Sequence, residues 1–235
     1  MVPRRRYNRG TVDRALDLVN FLCVLVLSTA FHEMAHAWLA DRFGDGTPRE
    51  HGRMTLNPLA HIHPVYTVLL PAVFYWNGSG FFAAAWTPVN PARMRRPRLH
   101  RLLVSLGGPG ANLVLAMACF VVFAIAFLLV DAAGGTDSAR VRHMLDIARL
   151  AVHLNVALAI LNLVPIPPLD GADLVGFLLP SDLRARWEAF RVHAWIVLLI
   201  LMATGILGRI LHPVLEAAGT VVALGFAVVE AIAGG

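Results

Sequence analysis

Residues 15–40 read ALDLVNFLCVLVLSTAFHEMAHAWLA, a run long and apolar enough to cross a bilayer as one helix, for which about 20 residues suffice. Inside it stands His32-Glu33-x-x-His36. Side chains four apart on a helix project from the same face, so both imidazoles can reach one metal ion. Glu33, next to the first imidazole, then lies beside the position where water would react. That is the geometry of the zinc-hydrolase pattern H-E-x-x-H. Two imidazoles and a carboxylate within hydrocarbon are costly and mark function by default. The competing reading, in which the three only make interhelical hydrogen bonds, leaves that cost without a purpose.

Composition extends the membrane reading to the whole chain. Apolar residues make up 57% of the 235 and charged residues 15%, with a mean hydropathy of +0.65. A soluble domain is nearer half apolar and a quarter charged. Further apolar runs follow the first, so the predicted fold is all-α: a polytopic membrane protein, a helical bundle of five to six transmembrane segments with a re-entrant hairpin after the first span. Residues 1–235 are expected to form a single integral-membrane domain, with a catalytic core at about 15–180 and C-terminal helices at 190–233. The net charge of +5 is no nucleic-acid signal, because the arginines cluster at 4–9, 93–101 and 184–191, each just outside an apolar run. Cys23 and Cys119 lie within apolar runs and suggest neither a disulfide framework nor a thiolate zinc site. Arg4-Arg5-Arg6 before an apolar stretch imitates a signal peptide, yet cleavage near Ala30 would sever the run from its histidines, so an uncleaved first span is expected.

Along the chain, the polar segment 41–56 carries Gly44, Gly46, Pro48 and Gly52 and suits a loop or short strands near the membrane surface. The apolar piece 65–76 has 12 residues, about 18 Å as a helix, too short for a hydrocarbon core of about 30 Å. With Asn77-Gly78-Ser79-Gly80 as a turn and 81–86 returning, it reads as the hairpin. A second span follows at about 99–131, beginning with Gly107, Gly108, Pro109, Gly110 and Asn112, residues that suit close helix packing or the wall of a site. A short polar loop at 132–148 and a third span from near Leu150 come next. Asn155 and Asn162 share a face of that span; Pro165, Pro167 and Pro168 then break it just before Asp170-Gly171. Asp170, a carboxylate at a broken intramembrane helix, is the best candidate for a third metal ligand, against a helix cap or an ion pair with arginine. A fourth span at about 192–211 is punctuated by His212-Pro213, and 214–233 forms a last apolar helix that spans or lies in the interface.

One ion can join His32, His36 and Asp170 only if all lie at the same depth. They sit about 19 and 20 residues past the starts of spans one and three, so those spans must run parallel with one crossing between them. The segment 65–86 then cannot cross. Loops at 41–60, 90–101 and 180–191 hold 11 arginines against nine elsewhere, weakly favouring those loops as cytoplasmic. A full span at 65–86 would split the charges 13 to seven, a better fit to the positive-inside rule, but would dismantle the metal site.

Four motifs in order, His32-Glu33-Met34-Ala35-His36, Gly52-Arg53-Met54-Thr55-Leu56-Asn57-Pro58-Leu59, Gly108-Pro109-Gly110-Ala111-Asn112 and Asn162-Leu163-Val164-Pro165-Ile166-Pro167-Pro168-Leu169-Asp170-Gly171, resemble the site-2 protease family of intramembrane zinc metalloproteases. The likeness is greatest to its short prokaryotic branch without PDZ or CBS domains and covers about 28–180. The resemblance implies one zinc ion per chain held by His32, His36 and Asp170, with Glu33 as general base and Asn162 assisting substrate or oxyanion. It also implies a multi-pass protein of the cell membrane whose site opens toward the cytoplasm, acting within the bilayer on a single-span membrane-protein substrate in regulated intramembrane proteolysis. His63 departs from the family, which usually carries Asp there.

Two rivals remain in view. A prenyl-protein type of membrane protease would need a downstream Glu as third ligand, with Glu188 the nearest. A non-proteolytic metal-binding protein, either a transporter or an inactive chaperone-like homologue, would find extra metal ligands in His51, His61 and His63, and its silent form is disfavoured by an intact Glu33.

Overall fold

The computed structural model describes residues 11–76, 85–135 and 138–233. Helices dominate, and no strand occurs among the described residues. Helix α1 spans Thr11–Arg42, α2 Thr47–Glu50, α3 Leu70–Trp76 (entered through a π-helical stretch at Pro64–Leu69), α4 Pro97–Ala132, α5 Ala139–Asn162, α6 Ala172–Leu178, α7 Ser181–Arg191, α8 Ala194–Ala203 and α9 Ile206–Ala233. Among the described residues four helices, α1, α4, α5 and α9, are long and apolar enough to cross a membrane. Pro64–Trp76 and α8 are shorter apolar helices among the described residues. Large apolar side chains such as Val122, Leu129, Val221 and Ile232 stay exposed on α4 and α9, as a lipid-facing surface requires. The chain is a polytopic helical membrane protein.

The core is a sandwich of α1, α4 and α5. Phe21 and Leu25 of α1 pack on Leu154 and Leu158 of α5, and Asn155 Nδ2 donates to Ser28 Oγ at 2.9 Å. Farther along both helices, His32 and His36 meet Asp170 beyond the end of α5. Rising numbers pair with rising numbers, so α1 and α5 are parallel. Helix α4 opposes them: Val104 meets His36 and Gly108 meets His32. The connection 43–96 therefore starts and ends at one level, and the Arg95 N–H donating to the Phe43 carbonyl at 3.1 Å closes it. Tyr75 stacks on Phe21 with ring centroids 4.8 Å apart, so the Pro64–Trp76 piece descends alongside α1. The expected turn at Asn77–Gly80 and the returning stretch as far as residue 84 lie outside the described residues.

Two expectations on boundaries are corrected, and a third is refined. Helix α5 starts at Ala139, so most of the supposed loop 132–148 is helical, with Arg142, His143 and Asp146 on its first turns. Polar side chains do not stop a helix where its end meets water. Segment 41–56, expected as a loop or short strands, is a loop that carries one helical turn, α2, and no strand. Buried Asp45 organises it, accepting from the backbone N–H of Thr47 at 3.0 Å and of Asn90 at 2.6 Å. Arg93 donates to both oxygens of Glu50 across the same loop, and this hydrogen-bonded pairing lowers the Glu50 carboxyl pKa. Finally, the last apolar run breaks at Thr204–Gly205 and not at His212-Pro213. Gly205 adopts φ +70, the left-handed conformation that ends a helix, whereas Pro213 is carried inside α9.

Candidate active site

Helix α1 projects His32 and His36 from one face, one turn apart, and their Nε2 atoms lie 3.0 Å from each other. The proline-broken stretch after α5 brings Asp170 to them. Its Oδ2 stands 3.2 Å from His32 Nε2 and 3.4 Å from His36 Nε2. Gly171 makes this reversal possible: its N–H donates to the Asn162 carbonyl at 2.7 Å, and a Cβ there would come within 2.2 Å of the Leu163 oxygen. Gly171→Ala should therefore destabilise the protein by about 1–3 kcal/mol, because the clash is with backbone that cannot rotate aside. A lowered melting temperature in detergent checks it.

The three donor atoms suit a zinc ion. Tetrahedral zinc with nitrogen and oxygen ligands at about 2.0–2.2 Å sets ligand atoms about 3.3–3.6 Å apart. The observed separations of 3.0, 3.2 and 3.4 Å lie close to that figure. His36 Nδ1 lies 2.7 Å from the Val104 carbonyl, a contact that fits an Nδ1–H donor and turns the Nε2 lone pair toward the cluster. Three Lewis-basic atoms aimed at one point repel one another without a cation between them. Among the described residues this is the group of His, Cys, Asp and Glu side chains able to hold a metal. Its members are buried or nearly so.

Glu33 lies against the same space. Its Oε2 accepts the Thr87 hydroxyl at 2.6 Å, a hydrogen bond that fixes the orientation of the carboxylate. A cavity of about 370 Å³ opens on His32, Glu33, His36, Asp170 and Asn162, and the irregular segment 85–89 runs along it. Asn162 is present at the wall, but its Nδ2 donates to the Leu158 carbonyl at 2.9 Å, leaving one amide hydrogen and Oδ1 for other partners. Asn155, on the same face, bonds α1 and stays out of the cavity.

Several residues at the site were not singled out in the sequence. Thr87 belongs to an ordinary loop. Asp173 accepts from Ser105 and Arg191, and from Arg101 Nε at 2.9 Å, so two arginines flank the cavity as members of an ion-pair network tying α4 to α6 and α7. The sequence signal was a second acidic residue three after Asp170, in a chain where acids are few. Glu188, the rival third ligand, is taken up by Arg101 at 2.8 Å. His51, His61 and His63 each engage nearby backbone groups and do not cluster.

A helical core of membrane-spanning length and apolarity, bringing two histidines and an aspartate together with a second carboxylate on the same cavity, points to a class: the membrane metallohydrolases. The comparisons with known proteins narrow it. The profile of peptidase family M50 matches residues 20–205. The protein named "Putative zinc metalloprotease YwhC" of Bacillus subtilis is 36% identical over 204 residues, covering 86% of this chain and 89% of that protein. The proteins of that description named Rip2, from Mycolicibacterium smegmatis and Mycobacterium tuberculosis, are each 35% identical over 189 and 177 residues. Those alignments cover 78% and 75% of this chain, and 66% and 63% of the relatives. No solved structure matches. The chain belongs to peptidase family M50, the site-2 proteases, and is a metallopeptidase whose family implies zinc.

Proposed function

We propose that this protein is an intramembrane zinc protease that cuts a peptide bond in or near the transmembrane segment of a single-span membrane protein, as one step of regulated intramembrane proteolysis. It acts as a single domain over 1–235, in the cell membrane, with the site facing the cytoplasm. The observation that carries the reading is Asp170 Oδ2 at 3.2 and 3.4 Å from the two imidazole nitrogens, with Glu33 on the same cavity. In this reading His32, His36 and Asp170 hold one zinc ion per chain. Bound zinc supplies a Lewis acid that polarises the scissile carbonyl and brings the pKa of water toward about 7.

The residues of the chain perform the rest. Glu33, oriented by Thr87, accepts the proton of the attacking water and returns it to the leaving amine. Asn162, once its free amide hydrogen turns toward the cavity, donates to the oxyanion that develops on the carbonyl. A helical substrate has its carbonyl oxygens occupied, so the scissile stretch must unwind. Residues 85–89, irregular and lining the cavity, offer backbone along which it can lie as an added strand.

The test is co-expression with single-span candidates, reading cleavage by mass and zinc by elemental analysis. Wild type should yield a cut within or beside the substrate's span with one zinc per chain. Asp170→Ala should lose both. Several exchangeable metals per chain without cleavage would favour the transporter reading.

A further inference from the structure

Behind the donor cluster lies a second chamber of about 290 Å³, lined in part by Thr29, His32, Asn112 and Asn162. Three of these carry buried polar atoms with no hydrogen-bond partner: Thr29 Oγ1, His32 Nδ1, and both Nδ2 and Oδ1 of Asn112. Asn112 is 0% exposed. A carboxamide buried in a membrane helix with neither end satisfied is costly, and such groups are paired in nearly all folded proteins.

The placement of the three orphans is set by helix geometry. Asn112 lies one turn along α4 from Gly108 and therefore shares its face. Gly108 is flush against the imidazoles, since a Cβ there would sit 2.5 Å from His32 Nε2. On α1, which runs opposite, Thr29 lies three residues before His32, on the same side of the helix. The hydrogen-bond inventory is complementary. With Nε2 of His32 facing Asp170, its Nδ1 carries a hydrogen and is a donor; Asn112 offers one acceptor and a donor; Thr29 offers an acceptor. The second ring nitrogen of His36 already has its partner in the Val104 carbonyl, whereas that of His32 has none.

We propose that Asn112 is the positioning residue for His32. Its Oδ1 accepts from the His32 Nδ1–H through one water in the chamber, and its Nδ2 donates toward the Thr29 hydroxyl by the same route, since neither pair is in direct hydrogen-bond contact. This fixes the His32 tautomer and ring plane so that Nε2 remains a metal-directed lone pair. The proposal rests on the reading of His32, His36 and Asp170 as zinc ligands, and it extends that reading to a residue which never touches the metal.

The test measures zinc affinity of purified full-length protein in detergent by chelator competition, with melting temperature alongside, for wild type, His32→Ala, Asn112→Leu and Asn112→Asp. Loss of the outer partner of a metal-bound histidine costs about 10–100-fold in affinity. Asn112→Leu, close in shape but without an acceptor, should weaken zinc by that factor. Asn112→Asp keeps the acceptor and should bind within a few-fold of wild type. A residue that only packs gives the opposite order, because an apolar isostere relieves the unpaired amide while an aspartate adds a buried charge. Wild-type affinity in Asn112→Leu, or equal loss in both variants, overturns the proposal. If Asn112→Leu cannot be purified, Asn112→Ala is judged by the same criterion. Zinc that is absent from wild type, or kept in His32→Ala, means that the ligand reading itself has failed and this proposal falls with it. Zinc lost in His32→Ala but held normally in Asn112→Leu removes the Asn112 role alone.

Discussion

Glu33→Gln should reduce cleavage of a co-expressed single-span substrate by about 10²–10⁴-fold, the range attributable to a positioned general base, while one zinc per chain remains bound. The two effects separate because Glu33 is not among the converging donor atoms. Glutamine keeps the shape of the side chain, and its carbonyl oxygen can still accept the Thr87 hydroxyl that now reaches Glu33 Oε2 at 2.6 Å. What it lacks is basicity. Water then has no group beside it able to take a proton, and the amine has none to receive one from. Single-turnover cleavage in detergent, with elemental zinc measured on the same preparation, checks both halves. Cleavage at the wild-type rate in Glu33→Gln would remove the general-base role.

Gly108→Ala is expected to disable the site through a single methyl group. In an ordinary helix this exchange stabilises by roughly 1 kcal/mol, since glycine is the poorer helix former. Here the added Cβ would stand 2.5 Å from His32 Cε1, from His32 Nε2 and from His36 Nε2. Normal carbon contacts begin near 3.5 Å, so α1 and α4 must part by about 1 Å, or both imidazoles must turn. Displacement of that size at a reacting centre costs on the order of 10²-fold in rate, and it disturbs two donor atoms at once. Zinc affinity and cleavage should therefore fall together. Gly110→Ala is the control: it lies on the same helix, no atom stands within 4 Å of its would-be Cβ, and it should leave both unchanged. A Gly108→Ala protein with normal zinc affinity would show that the helices yield more readily than their contacts indicate.

The pair of imidazoles was legible in the sequence because it is local. Spacing of four on a helix dictates a shared face, and the apolar run of α1 dictates a membrane span, whatever the rest of the chain does. Asp170 was legible in part. A carboxylate just after three prolines in an apolar context points to function, and the equal-depth requirement demanded parallel first and third spans, the arrangement that α1 and α5 adopt. The starting point of α5 escaped, since Arg142, His143 and Asp146 read as loop by polarity alone yet are tolerated on a helix end facing water. The break before α9 escaped for a related reason: proline is the louder signal, but the left-handed turn at Gly205 is what ends the helix.

What the sequence by itself determined is the solvent and the chemistry: a chain this apolar must satisfy its backbone inside helices, and a histidine pair with an adjacent glutamate must be given a reason to be there. What only the tertiary structure decided is which distant groups stand against the histidine pair and Glu33. The hydroxyl of Thr87 on Glu33, the Val104 carbonyl behind His36, the space left by Gly108 and the unpaired amide of Asn112 come from segments with no mutual periodicity. Their meeting depends on the antiparallel approach of α4 to α1, and an approach between helices is fixed by the packing of whole faces, which no short stretch of sequence encodes.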